Sequence, residues 1–96
     1  MKNKNYKSAK DFATDYGLSD LEIALVREKK KLIEKLVAKR LRLKFSQAKV
    51  ATLVGSKQPA IARMESGQVS EISMDFLFKV AMSLNVAISI KAAKVA

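Results

Sequence analysis

The chain has 96 residues, of which 19 are basic and 9 acidic, so its formal net charge is +10. It contains no cysteine and no histidine, which excludes disulfides, thiolate or imidazole metal sites and the commonest general base. No apolar run approaches the roughly 20 residues of a membrane span, and we expect a cytoplasmic protein with no metal and no cofactor. The net charge suits a polyanionic partner, although a merely solvated surface would carry the same charge.

One domain is predicted, over residues 19–91, with an extension at each end. Residues 1–18 are predicted to form a flexible N-terminal arm, in which a short helix is expected from Ser8 to Gly17. Residues 92–96 are predicted to be a frayed tail.

A long helix is predicted after Ser19, because Ser19 and Glu22 have the spacing of a capping box. Neither glycine nor proline interrupts the chain from Asp20 to Leu43. The charged run Glu28–Lys31 divides its apolar stripe in two, so the second half is expected to pack on the following helices. The first half would then project toward another chain or toward the arm. A single curved core helix is the alternative.

The stretch from Gln47 to Gly67 predicts two short helices joined by a tight turn. Apolar residues lie on one face of the first helix, and Gly55 then permits a left-handed backbone conformation. The second helix is predicted from about Lys57 to Ser66. Two helices joined so closely must cross steeply, and Ala51 is small enough to lie at the crossing. This arrangement is typical of a helix-turn-helix.

The second of these helices has an outer face suited to a DNA groove. Its inward residues are predicted to be Ile61 and Met64, at i, i+3 spacing, together with Glu65. Glutamine can pair with adenine, arginine with guanine, and small apolar side chains with the thymine methyl group. The residues predicted to contact bases are Lys57, Gln58, Pro59 and Arg63.

This stretch resembles the XRE (Cro and phage-repressor) helix-turn-helix family in Gln47, Ala51, Gly55, Ile61, Met64, Glu65 and Gly67. The resemblance covers about Leu32 to Leu84. It implies an all-α, lambda-repressor-like helix-turn-helix domain that binds double-stranded DNA as a dimeric repressor. It further implies that Gln47 holds a phosphate and that Arg40 and Glu65 form a structural ion pair. Further phosphate contacts are predicted for Ser46, Lys49, Lys57 and Gln68.

The chain departs from a purely helical pattern after Asn85. Apolar residues alternate there with small or polar ones, which predicts a short C-terminal β-strand. A lone strand has unpaired edges and seeks a partner chain, so a homodimer contact is expected at this end. The predicted interface consists of Phe78, Met82, Val86, Ile88 and Ile90.

Two other classes of function are alternatives to transcriptional regulation. The layout is loosely similar to HigA-like antitoxins from about Ser19 to Lys91, which implies neutralisation of a ribonuclease toxin and repression of the protein's own operon. Catalysis is not expected, because the chain has no G-x-S-x-G motif, no phosphate-binding loop and no paired carboxylates in a plausible cleft.

Overall fold

The computed structural model describes residues 19–89, which form four α-helices and one 3-10 turn. The elements are α1 (Asp20–Arg42), α2 (Gln47–Leu53), α3 (Gln58–Glu65), the 3-10 turn (Val69–Glu71) and α4 (Met74–Ser83). The predictions for residues 1–18, for Ile90 and for residues 92–96 lie outside the described residues. No helix within residues 19–89 is long and apolar enough to cross a membrane.

The long helix α1 begins with the predicted capping box. The Ser19 hydroxyl accepts from the Glu22 amide at 3.0 Å, and the Glu22 carboxylate accepts from the Ser19 amide at 3.3 Å. The helix then continues for 23 residues, or about 34 Å. The charged run Glu28–Lys31 therefore does not break it.

The core is built from the second half of α1 together with the three later helices. Its buried apolar residues are Leu32, Ile33, Leu36, Val50, Ala51, Ile61, Met64, Ile72, Leu77, Val80, Ala81 and Leu84. The first half of α1 contributes no buried apolar side chain to it: Leu21 is 67% exposed and Leu25 is 45% exposed. The helix thus lies in two environments, as its divided stripe predicts.

Three helices end in the same way, with one residue in the left-handed region. These residues are Lys44 after α1 (φ 59°), Gly55 after α2 (φ 70°) and Asn85 after α4 (φ 57°). The next residue then donates its amide to the carbonyl five positions back: Phe45 to Arg40 (3.1 Å), Ser56 to Ala51 (2.8 Å) and Val86 to Ala81 (2.8 Å). This is the Schellman pattern, which satisfies carbonyls that a helix end leaves unpaired.

Lys44 carries a backbone strain that glycine would relieve. A side chain in the left-handed region costs about 1–2 kcal/mol, and glycine gives back about 0.5–1 kcal/mol through its looser unfolded state. We therefore expect Lys44→Gly to raise the free energy of unfolding by about 0.5–1 kcal/mol in urea titrations. The matched control is Gly55→Ala, where an added Cβ meets no atom within 4 Å; strain alone should make it destabilising. A destabilised Lys44→Gly would contradict this account.

The predicted C-terminal strand is wrong. Residues 86–89 have no regular secondary structure, and no strand occurs anywhere in residues 19–89. Alternation alone does not make a strand, because a ladder also needs a hydrogen-bonding partner. The Val86 amide is instead used to close α4, and its side chain packs half-buried against the core.

Candidate nucleic-acid interface

Helices α2 and α3 are locked together by their inner faces, which leaves the outer face of α3 open. Val50 and Ala51 of α2 are buried, as are Ile61 and Met64 of α3. The α3 helix begins after Lys57, whose side chain makes no capping hydrogen bond, and it has proline in its first turn. The side chain of Lys57 therefore does not cap the amide groups at the start of α3.

The four residues predicted to contact bases lie together on this open face. Lys57, Gln58, Pro59 and Arg63 are all exposed. Pro59 and Arg63 are four residues apart and so share one side of the helix. Donors, an acceptor and an apolar ring are thus presented side by side.

Gln58 is not a free side chain, because Gln47 holds it from α2. The Gln58 amide nitrogen donates to the Gln47 amide oxygen at 2.8 Å. The Gln47 nitrogen in turn donates to a Glu65 carboxylate oxygen at 3.0 Å. Gln58 keeps its own oxygen and its second amide hydrogen, which are the acceptor and donor that adenine requires in the major groove.

A bidentate ion pair between Arg40 and Glu65 lies behind the two amides. Arg40 of α1 donates from Nε to Glu65 Oε2 at 2.6 Å and from Nη2 to Glu65 Oε1 at 2.9 Å. Its Nη1 also donates to the Phe45 carbonyl at 2.8 Å. The side chains of Arg40 and Glu65 are only 13% and 11% exposed. The pair ties the end of α1 to the end of α3 and to the segment that leads into α2.

The charge on Glu65 decides how the amides are oriented. Burial by itself raises the pKa of Glu65, but the hydrogen bonds from Arg40 and Gln47 and the positive charge of Arg40 lower it below its usual value. The hydrogen bond to Glu65 raises the pKa of Arg40, against the effect of burial. An ionised carboxylate only accepts, so Gln47 must turn its nitrogen to Glu65 and its oxygen to Gln58.

Most of the predicted phosphate contacts lie at the starts of α2 and α3. The Ser46 hydroxyl accepts from the Lys49 amide at 3.0 Å and so caps α2. The Lys49 ammonium lies 5.7 Å from the centre of the Phe45 ring, which keeps it beside the start of the same helix. Lys57 is the N-cap residue of α3. Gln68 lies apart from these residues, exposed in the loop after α3.

Residues 36–90, which are more than half of the chain, match the sequence profile of the helix-turn-helix family. The chain belongs to this helix-turn-helix family. The resemblance to XRE-type members is thereby confirmed. An uncharacterized HTH-type transcriptional regulator of Haemophilus influenzae is 38% identical to this chain over 72 residues, which are 75% of this chain and 65% of that relative. No solved structure matches the chain significantly.

The predicted interface residues of this helix-turn-helix protein do not come together as one strand. Phe78 is half-buried and Met82 is 77% exposed, and the two are one turn apart on α4. Val86 is half-buried in the turn that follows. Ile88 lies beside α1, and Ile90 lies outside the described residues.

Sequence reasoning missed one feature of the helix-turn-helix, which is the bridging position of Gln47. The sequence predicts only a phosphate contact for Gln47, whereas the structure also places its side chain between Glu65 and Gln58. The only sequence clue is the presence of two glutamines 11 residues apart. Among residues 19–89, no cluster of acidic residues has the arrangement of a metal site.

Proposed function

We propose that this protein is a cytoplasmic, sequence-specific DNA-binding transcription regulator that acts as a dimeric repressor. The observation that carries the proposal is the outer face of α3, where Gln58 is exposed and held in one orientation by Gln47. A side chain held in place before binding loses little freedom when it meets a base. Membership of the helix-turn-helix family supports the same function.

In this proposal α3 enters the major groove and reads bases with its exposed face. Gln58 pairs with adenine through its free oxygen and its second amide hydrogen, without giving up its bond to Gln47. Arg63 pairs with guanine, and Pro59 contacts a thymine methyl group. Lys57 lies at the edge of the groove, where it contacts a base or a phosphate.

Phosphate contacts from the start of α2 fix the position of α3 along the duplex. Gln47 has one amide hydrogen that neither Glu65 nor Gln58 uses, and in the complex with DNA this hydrogen is donated to a phosphate oxygen. Since the same side chain holds Gln58, a phosphate contact at Gln47 also fixes the orientation of a base-reading group. Ser46, Lys49 and Gln68 supply the other phosphate contacts.

Salt dependence tests whether the protein binds DNA through phosphates. We expect log K for a selected operator to fall with log salt by about 0.9 for each neutralised phosphate. Lys49→Gln should reduce this slope by about 1, because it removes one phosphate contact. Lys79→Gln, an exposed lysine on α4, is the matched control and should leave the slope unchanged. Fluorescence anisotropy titrations measure both, and a flat salt response would contradict DNA binding.

A dimer would let two α3 helices read two half-sites about 34–36 Å apart. The patch on α4 formed by Phe78 and Met82 is the candidate contact, because a two-fold interface requires the same patch on both copies. Met82→Lys is expected to shift the protein to monomers in sedimentation velocity and to weaken binding to an inverted repeat. Its helical circular dichroism should persist, because Met82 lies outside the core. A wild-type monomer at tens of micromolar that still binds the inverted repeat tightly would contradict the dimer.

A second candidate function is that of an antitoxin. The first half of α1 precedes the family match at residue 36 and exposes Leu21, Leu25 and Val26. Such a stripe is suited to a protein partner. A neighbouring gene for a small basic ribonuclease, and co-purification of the two products, would favour this function over regulation alone. Absence of a complex between the two purified proteins would remove it.

A further inference from the structure

We propose that the groove between α1 and residues 85–89 binds an extended, acidic segment of a partner protein. This binding is separate from the contact with DNA and does not rest on it.

One wall of the groove is a row of four basic side chains on α1, here called the basic strip: Lys31, Lys35, Lys39 and Arg42. The strip extends over 12 residues of helix, from Lys31 to Arg42, or about 16 Å between its ends. The opposite wall is the segment 85–89 that follows α4. Apolar side chains line the space between the walls: Leu32, Ala38, Met74, Val86, Ala87 and Ile88. Two acidic residues, Glu28 and Glu34, also line it near Lys31 and Lys35, so the net positive charge lies toward Lys39 and Arg42.

The basic strip lies on the flank of α1 that faces away from α3. The loop after α3 borders the other flank, which is lined by Val26, Lys30 and Ile33. Arg40, which reaches Glu65 of α3, also lies outside the strip. Reading of the major groove by α3 therefore gives no account of these four charges.

Ion pairs among residues 19–89 do not account for the basic strip either. Lys31 lies 3.4 Å from Glu28, but Lys35, Lys39 and Arg42 make no ion pair within the part of the chain that the structure describes. Basic residues in the last turn favour the negative end of the helix dipole, but this effect fades within one turn. The helix dipole accounts for Lys39 and Arg42 but not for Lys35, which makes no ion pair within residues 19–89.

The spacing of the strip suits a row of carboxylates. Residues four apart on α1 are about 6 Å apart along its axis. Residues two apart on a strand point the same way and are separated by about 6.6–6.8 Å. Acidic residues at every second position of an extended segment would therefore meet successive members of the strip. A helix with acidic residues four apart would match the spacing as well.

The other wall of the groove favours the extended segment over a helix. The backbone groups of Ala87, Ile88 and Ser89 make no hydrogen bond within residues 19–89. An extended segment can pair with such groups, as in β-augmentation, whereas a helix has already used its own. Its alternate side chains would meet the apolar lining, including Ile88, which is 36% exposed. A nucleic-acid strand would leave that lining and those backbone groups unmatched.

The test uses the full chain and a labelled nine-residue peptide in which glutamate alternates with valine. An isomer of the same composition, with its glutamates in one block, controls for charge alone. Lys35→Glu with Lys39→Glu should weaken binding of the alternating peptide at least about tenfold in anisotropy titrations. The matched control is Lys30→Glu with Lys79→Glu, which makes the same change in net charge at exposed sites elsewhere. This control should change the affinity for the alternating peptide less than about twofold. Binding of a selected operator by the first variant should persist.

Several outcomes would overturn the proposal. Equal weakening by both double variants would show unspecific charge attraction, as would equal affinity for the two peptides. No binding of the alternating peptide up to about 1 mM would refute the site. Tighter binding of a single-stranded oligonucleotide of equal charge, or loss of operator binding in the folded Lys35→Glu, Lys39→Glu protein, would assign the strip to nucleic acid. If that variant does not fold, Lys35→Gln with Lys39→Gln serves with the same criteria.

Discussion

Replacing Glu65 by alanine is expected to lower the free energy of unfolding by about 3 kcal/mol, toward the lower end of the cost of leaving one member of an ion pair alone, because this pair is partly buried. Arg40 would keep its charge at a position where its side chain is only 13% exposed, and two of its donors would lose their acceptors. The Gln47 nitrogen would lose its acceptor as well. The effect should exceed that of any surface substitution, because such substitutions usually stay within about 0.5 kcal/mol.

A double-mutant cycle separates the cost of an unpaired charge from the worth of the pair. We expect Arg40→Met with Glu65→Leu to recover most of the stability lost in the single variants, since apolar replacement of a whole buried pair is often neutral. Operator affinity should not recover, because Gln47 has no acceptor in the double variant and no longer holds Gln58 in place. Urea titrations and anisotropy on the four proteins measure the two effects. Stability that falls additively in the double variant would refute the coupling.

The same pair predicts a dependence of stability on acid. The folded-state pKa of Glu65 is lowered, so its contribution is fully present above the unfolded-state pKa of about 4.3 and is lost as the pH falls through the folded value. Below about pH 4 the wild type should therefore lose stability more steeply than Glu65→Gln, which has no such proton to bind. Equal slopes would mean that Glu65 does not titrate with unfolding.

The helix-turn-helix was predictable because its determinants are local. The glycine at Gly55, the small residue at Ala51 and the i, i+3 spacing of Ile61 and Met64 all lie within one short stretch of sequence. Each points to the same structure that the core shows. The structure of such a segment can be predicted because turn chemistry, periodicity and side-chain size agree.

The left-handed turn at Lys44 could not be predicted in the same way, in contrast to the one at Asn85, because asparagine often adopts this conformation at a helix end. Lysine is disfavoured in that conformation, so no local preference announces the turn. Packing of the following residue decides it: Phe45 and Val86 both lie against the core. The strand failed for a related reason, because alternation is local whereas a ladder partner is not.

Tertiary geometry also hides the contact between Gln47 and Gln58. Two amides on different helices meet only if the crossing angle brings them within 2.8 Å of each other, and no periodicity encodes that angle. The ion pair with Arg40 holds the Glu65 carboxylate to which Gln47 donates. The pairing of Arg40 with Glu65 was predictable only from the resemblance to the family, and the structure gives the distances between their atoms.

Gln58→Ala is expected to weaken operator binding by about 1–3 kcal/mol and to relax specificity at one base pair. The loss arises because one base edge keeps its donor and acceptor but no longer meets a side chain that matches them. Two further glutamines allow the same chemical change at sites with other roles. Gln68→Ala, in the loop after α3, should weaken binding to all DNA sequences evenly, because a phosphate contact does not discriminate between bases.

Gln47→Ala should combine the two behaviours. It removes the proposed phosphate contact, which lowers affinity for every sequence, and it releases Gln58 from the bond that orients it. We therefore expect a uniform loss of affinity together with partial relaxation at the base pair that Gln58→Ala affects. Selection from a randomised duplex library with each purified variant measures the three profiles.

The comparison of the three profiles decides where α3 lies. If Gln58→Ala and Gln68→Ala change affinity without changing any preference, then α3 does not read bases through Gln58 and the groove assignment is wrong. If Gln47→Ala resembles Gln68→Ala alone, then the bond between Gln47 and Gln58 does not survive on DNA. Only a shared position of relaxed preference in the Gln58 and Gln47 variants is consistent with a base-reading glutamine that its neighbour on α2 holds in place.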